Sequence, residues 1–568
     1  MNFKLSITII LVMLGTLSFA QQKKVWVSGA ARSMFQQNNL KSDGDSVTAK
    51  KLNSGHALVD LAINARPNKE TYLHGMVRIR NDFGGFWGSG VSFDIRQLYL
   101  KGLVNESIRY QLGDINYKLT PYTFFSQNEE LSSHQNEAFD IYQDVLRYDL
   151  FYNDDNTWRT QGATVDFALS FPKLVEEFEF SSFIFRNRPS DFAQRSERVF
   201  FGGNGTLFVD EKLSLGVNYI DLMDIKETSK SDALFHNPVL TGNVNFVQKL
   251  NETQLEFKSE SGISDMYTLN DAESAHVRDY FYDLDVNVKL PNELPSISVN
   301  YINVGAEFRS VGAQTKRVNF ESQNRMYTRY GNVQIPRPLT QLDLAQDASL
   351  FQINFNQDLD LYAPSYDNIQ PYGKATPNRK GITFSADYSL PKGVFNVELV
   401  YQALSEVVGQ GTESKRSFSN IKANGLLKID TLMPNSHRDI ELSFGFNQQR
   451  TERSTSLAEG NIDLSGTIAD IGLKVGIVED LNLLCNYRMI NSSGNELVPV
   501  RNSYSEVIDY TPFQTEMKQN ILLFALRYAF SQNNHLNIIW QNVSYDDASN
   551  SSPKFDISQF GIVYSMNF

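Results

Sequence analysis

A set of charged residues recurs at strand spacing early in the chain: Arg66, then Arg78 and Arg80, then Asp94 and Arg96, then Arg109. Residues two apart on a β-strand share a face, so these side chains are expected on one side of consecutive strands, facing inward. Guanidiniums beside a carboxylate set up a field that acts on the charge of a solute; they neither attack nor shuttle protons at neutral pH. A second pair, Arg186 and Arg188, repeats the spacing close to an irregular segment. The residue types that perform covalent or metal chemistry are dispersed. The His residues show no pair at ligand spacing and Cys485 is the only Cys, which argues against zinc. Asp154-Asp155 and Asp546-Asp547 lack the distal Glu of a calcium loop, and there is no Gly-x-Ser-x-Gly elbow. No catalytic residue, cofactor or metal is expected, and no enzyme.

The second candidate surface is aromatic. The segment 310–380 carries Tyr327, Tyr330, Tyr362, Tyr366 and Tyr372 among Pro336, Pro338, Pro364, Pro371 and Pro377. An irregular segment of this length is functional or disordered more often than a plain connection. Folded into an enclosed space it would act as a plug; folded outward it would present ring faces to a sugar or a protein.

The elements that must position these groups are strands. Residues 57–66 put Ala57, Val59, Leu61, Ile63 and Ala65 on one face, and residues 71–81 alternate Leu73, Gly75, Val77 and Ile79 with His74, Met76, Arg78 and Arg80. The same alternation recurs in pairs of segments to the end of the chain. Within a pair the turn is short and carries Pro, Asn or Asp, as at Pro67-Asn68-Lys69, Asn105-Glu106, Asp210-Glu211, Asn251-Glu252, Pro391-Lys392-Gly393 and Glu479-Asp480. Between pairs the segments 35–55, 121–159, 262–276, 310–380 and 491–519 are long and polar. Short turns at one end and long loops at the other are the pattern of a membrane barrel. The reading is an all-β chain forming a single antiparallel transmembrane barrel of roughly 22 strands, within 20–24, with both termini at the short-turn end.

The last nine residues support it. Phe560, Ile562, Tyr564, Met566 and Phe568 fall on one face, and Gly561, Val563, Ser565 and Asn567 on the other. This stretch resembles the terminal signature of outer-membrane β-barrel proteins of Gram-negative bacteria, whose closing Phe is read by the barrel-assembly machinery. The inward Arg set beside Asp94 is similar to porin-type channels, where Arg rows opposite carboxylates define a constriction. The chain departs from TonB-dependent transporters, because its first strand begins within a few residues of Gln21 and leaves no room for an amino-terminal plug domain.

Residues 1–20 read as a secretory signal peptide: Lys4, an apolar run from Leu5 to Leu17, then Ser18-Phe19-Ala20. No Cys follows it, so an amino-terminal lipid anchor is not expected. Beyond residue 20 there is no run of apolar residues long enough for a spanning helix. A mean hydropathy of -0.34 is compatible with a barrel, which hides its apolar band in every second residue. A net charge of -13 provides no basic excess to neutralise phosphates, so nucleic acid is not a partner. The expected partners are outer-membrane lipid and lipopolysaccharide, the barrel-assembly machinery and other envelope proteins. Two functions fit: a porin-like channel for diffusion of polar solutes, or a non-conducting barrel subunit of a larger surface, secretion or envelope-assembly complex.

Overall fold

A chain built from strands that are apolar on one face can sit in hydrocarbon only if no edge is left unpaired. The computed structural model describes residues 24–42, 50–82, 91–125, 160–171, 175–231, 233–269, 275–291, 295–313, 368–432, 438–456, 458–501, 507–549 and 554–568. The strands are β1 (Val25–Ser42), β2 (Lys50–Ala65), β3 (Thr71–Asp82), β4 (Val91–Val104), β5 (Ile108–Ile115), β6 (Thr160–Phe171), β7 (Val175–Arg188) and β8 (Arg198–Phe208). Next come β9 (Leu213–Asp224), β10 (Leu234–Leu250), β11 (Thr253–Leu269), β12 (Ala275–Lys289), β13 (Ser296–Val304), the short β14 (Pro371–Lys374), β15 (Arg379–Ser389) and β16 (Phe395–Ser405). The last are β17 (Ser417–Lys428), β18 (Ile440–Arg453), β19 (Ile462–Val478), β20 (Leu481–Arg501), β21 (Val507–Ser531), β22 (Asn534–Asp547) and β23 (Phe555–Asn567).

All but β14 belong to one 22-stranded sheet in which each strand pairs antiparallel with its neighbours in sequence, β13 pairs with β15, and β1 pairs with β23. The ring is therefore closed. Closure runs from Ala30 opposite Asn567 to Ser42 opposite Phe555. Beyond it the Gly29 and Phe568 backbones exchange hydrogen bonds of 2.8 and 2.9 Å. A Cβ on Gly29 would collide with the Asp60 carbonyl oxygen and lie 2.8 Å from the Phe568 ring, so the seam requires glycine there. Phe560, Ile562 and Phe568 face outward and exposed, Tyr564 and Met566 share their register face, and Gln559 and Val563 are buried on the inner face.

Tight hairpins form one end. Asn105 and Glu106 both have positive φ (50° and 59°), as a two-residue hairpin with the twist of the strands requires. Along the strands the expected alternation holds: Ile63, Ile95, Val217, Leu240 and Ile382 project outward from the ring and are exposed.

Three segments expected as long loops are largely strand. The ladder β1–β2 extends to Leu40 opposite Lys50, β11–β12 to Thr268 opposite Ala275, and β20–β21 to Arg501 opposite Val507. Strand β20 has 21 residues and β21 has 25, whereas about 9–11 suffice to cross a bilayer. At about 3.3 Å per residue the excess stands in water, where both faces are wet. Alternation fades there while the backbone ladder continues, so the polarity that suggested loops marks protruding hairpins instead.

Candidate functional site

On the inner face of β1–β4 a carboxylate, three guanidiniums and an imidazole come together. Asp60, on β2, is fully buried and accepts two hydrogen bonds from Arg78, Nε to Oδ1 at 2.8 Å and the terminal nitrogen to Oδ2 at 2.7 Å. Arg96 approaches Asp60 Oδ2 at 3.4 Å and is itself buried. Further along the same wall Arg32 Nε contacts His56 Nε2 at 3.2 Å. Arg96 owes its position to a β-bulge: Met76 pairs with Gln97 but Val77 with Ile95, which leaves Arg96 as the extra residue. A bulge of this kind re-aims a side chain, and here it turns Arg96 onto the carboxylate of β2.

The other residues of the proposed inward row are not part of this cluster. Arg66 lies at the short-turn end, its guanidinium 5.6 Å from the Trp26 ring centroid and 5.7 Å from that of Tyr72. Trp26, Tyr72, Tyr99 and His74 continue as a ladder of rings, with centroids 5.8, 6.0 and 4.8 Å apart along it. Arg80 is half-buried on the inner face of β3. Arg109 is exposed and pairs with Asp166 of β6. Asp94 lies on β4, and its side chain is outside the described residues. Arg186 and Arg188 do not form a row, because a register shift between them separates their faces. Arg186 pairs with Glu197 at 2.9 Å and Arg188 with Asp224 at 3.3 Å.

Three segments from the long-loop end pack inside the ring: 116–125, 305–313 and 368–378, the last containing β14. The first two bring Tyr122, Phe124, Phe308 and Val311 against Phe183, Phe185, Phe200, Ile220, Leu222 and Phe281 of the inner wall, all buried. Tyr122 stacks on Phe281 at 3.8 Å, and Phe124 meets Phe183 at 5.0 Å and Phe200 at 5.2 Å. Asp283 of β12 ties this side together, accepting from Tyr122 Oη at 2.9 Å and from the Asn300 amide, and pairing with Lys374 Nζ at 3.0 Å.

The 368–378 segment is also held by the opposite wall. Arg379 donates to the carbonyls of Ile369 at 2.7 Å and Asn368 at 3.0 Å, with its guanidinium 3.8 Å from the Phe418 ring centroid. The Asn368 amide donates to Glu496 Oε2 at 2.7 Å and to Thr451 Oγ1 at 2.8 Å. Arg416 bridges Glu406 at 2.7 Å and Glu496 at 3.1 Å, and all three charges are buried. Tyr372 therefore does not sit on a free loop; it is buried within this infolded segment. Tyr327, Tyr330, Tyr362 and Tyr366 lie outside the described residues.

Asp60, Glu406, Arg416, Glu496 and Asp283 were missed by sequence reasoning. Asp60 left a signal, a lone carboxylate in the apolar run Ala57-Leu58-Val59-Asp60-Leu61-Ala62. Arg416 immediately precedes β17 and Glu496 lies on β20, which is not its neighbour, so no local spacing announces them.

No protein-family model and no curated protein matches the chain. Among solved structures it is similar to OccK5 (OpdH) of Pseudomonas aeruginosa, at 9% identity over 95% of this chain and 98% of that one, with a TM-score of 0.34. It is similar to a BenF-like porin from Pseudomonas fluorescens Pf-5, at 9% identity over 95% and 99%, TM-score 0.32. It is also similar to the copper transporter OprC, at 10% identity over 95% and 80%, TM-score 0.47. At such identities none of their activities passes to this chain. What the chain itself shows is the closed ring with an apolar outer face, the architecture of a porin-like outer-membrane β-barrel.

Proposed function

We propose that the protein is a porin-like channel for diffusion of polar solutes, lying in the outer membrane with its short turns and both termini on the periplasmic side. The observation that carries this reading is the polar character of the inner wall of a closed ring, which carries buried charges and amides on both sides. The aromatic cluster of β7–β12 packs against infolded segments but lies beside buried Arg198, Asn218, Asp221, Asp224 and Asp283, and β17–β23 with β1–β4 present further buried charges and amides around a smaller apolar cluster. A lumen filled purely for stability would be apolar all round, because each buried polar group costs free energy unless it is paired. The polar stretches of the wall mark where water and solute pass, and the infolded segments narrow that path.

The test is conductance in a planar lipid bilayer. Arg80→Glu alters the inner wall by two charges. One charge at about 10 Å in water is worth about 0.4 kcal/mol, so two charges shift cation and anion in opposite directions by about 0.8 kcal/mol each and the cation-over-anion permeability ratio is expected to rise about fifteenfold before screening lowers it. The opposing reading is a non-conducting barrel that serves as a subunit of a larger surface complex. The buried aromatic cluster of Phe124, Phe183, Phe185 and Phe200 favours it, since it shows that part of the lumen is filled. Silent bilayers together with stoichiometric co-purifying proteins would establish that reading in place of the channel.

A further inference from the structure

The polar wall carries a feature that the charged cluster does not explain. Asn38 on β1, Ser443 and Asn447 on β18, Asn486 and Ser492 on β20 and Gln519 on β21 are each at most 7% exposed. Each presents buried side-chain polar atoms with no hydrogen-bond partner among the described residues; in Asn38 and Asn486 both the amide nitrogen and the amide oxygen are unpartnered. Register places two of them on one line across the sheet and a third beside other buried amides. Ser443 lies opposite Gly472 and Gly472 opposite Asn486 across β18–β20, and Gln541, Gln559 and Asn38 align across β22, β23 and β1. The glycine at 472 leaves space between Ser443 and Asn486 on the inner face.

A buried polar group left unpaired costs about 1–3 kcal/mol. Six of them together would rival the whole stability of an ordinary domain, about 5–15 kcal/mol. These groups must therefore meet a ligand or water in the working state. The type of ligand follows from the atoms. A carboxylate or phosphate only accepts hydrogen bonds and an ammonium only donates them. Paired amide N–H and C=O groups beside hydroxyls need a partner that does both. Ion pairs in this wall, Asp470 with Arg488 at 3.5 Å, Glu441 with Lys474 at 3.7 Å and Glu496 with Arg416 at 3.1 Å, each join opposite charges and so favour neither sign.

We propose that the inner wall of β18–β21 and β1 is a recognition lane for neutral polyhydroxylated solutes of sugar size. This rests on the channel reading above and names the solute class of that same lumen. Water satisfies the same groups, so the experiment separates passage of water and ions from recognition of hydroxyls.

Proteoliposomes holding the full mature barrel are assayed for permeation of glucose, gluconate and glucosammonium, solutes of nearly one size and three charges, alongside KCl conductance in planar bilayers. Glucose is expected to permeate faster than both ions. The near-isosteric variant Asn486→Leu, and separately Asn38→Leu, are expected to lower glucose flux about fivefold, the worth of one or two net hydrogen bonds, with KCl conductance changed less than about twofold. Asn486→Ser, which keeps a group that donates and accepts, is expected to retain more glucose flux than Asn486→Leu. Heat-modifiable gel mobility verifies folding of each variant.

A conducting wild type that prefers gluconate or glucosammonium overturns the proposal, as does glucose flux unchanged in both Leu variants. Glucose flux and KCl conductance falling in equal proportion overturn it too, because the lane then carries water without recognising hydroxyls. A folded wild type with no conductance overturns the channel reading and the lane together.

Discussion

Replacing Asp60 by Asn keeps the shape of the side chain and removes the charge that Arg78 and Arg96 face. Arg78 contacts it at 2.8 and 2.7 Å and Arg96 at 3.4 Å, with Asp60 wholly buried. At an effective dielectric of 20, charges about 4 Å apart attract by about 4 kcal/mol, and this attraction offsets several kcal/mol of desolvation for each buried ion. The neutral variant leaves two buried guanidiniums facing one another, a loss of about 3–5 kcal/mol. Urea unfolding of the folded barrel in lipid, followed by tryptophan fluorescence, reads that loss as a lower midpoint at unchanged slope. Adding Arg78→Met removes one of the two uncompensated charges and is expected to recover at least about half of it, by the same logic that makes apolar replacement of buried ion pairs tolerable. If Asp60→Asn falls within about 1 kcal/mol of the wild type, the size of a hydrated pair, burial does not govern this cluster and the reasoning fails.

Three more outcomes are expected. Glu496→Ala strips Asn368 and Arg416 of a shared acceptor; local release of the 368–378 segment by about 3 kcal/mol should speed tryptic cleavage at Lys374 about a hundredfold, read by mass spectrometry. Val217→Arg puts a charge on the outward apolar face and should cost about 2–4 kcal/mol in lipid if that face meets hydrocarbon near the midplane; an unchanged unfolding midpoint would contradict that placement. Gly29→Val has no room beside the Asp60 carbonyl and the Phe568 ring, so the seam between β1 and β23 should open, with folded yield in a gel-mobility assay dropping well below that of Ala62→Val on the neighbouring strand.

The strand period was written in the residues. Ala57, Val59, Leu61 and Ile63, or Phe560, Ile562 and Phe568, reveal their outward face without any knowledge of neighbours, because alternation is a local property of an extended backbone. Turn chemistry was equally local: Asn105-Glu106 and Asn251-Glu252 close hairpins where they were expected to. From alternation and turns followed an all-β ring of about 22 strands with termini that meet. The protruding ends of β20 and β21 were misread as loops because a hairpin with water on both faces has no reason to alternate.

The site depended on what the sequence cannot express. A bulge beside Gln97 turned Arg96 onto Asp60, and a register shift at Arg186 broke a row that spacing alone had suggested. Glu496 of β20 meets Arg416 just ahead of the non-adjacent β17, and Tyr122 stacks on Phe281 only because a long segment folds back inside. The residues themselves determined which faces meet hydrocarbon and where the chain turns. Which inward side chains share a charge, and which lie under infolded chain, was decided only once the ring had closed, because closure sets the distances between residues that are remote in sequence.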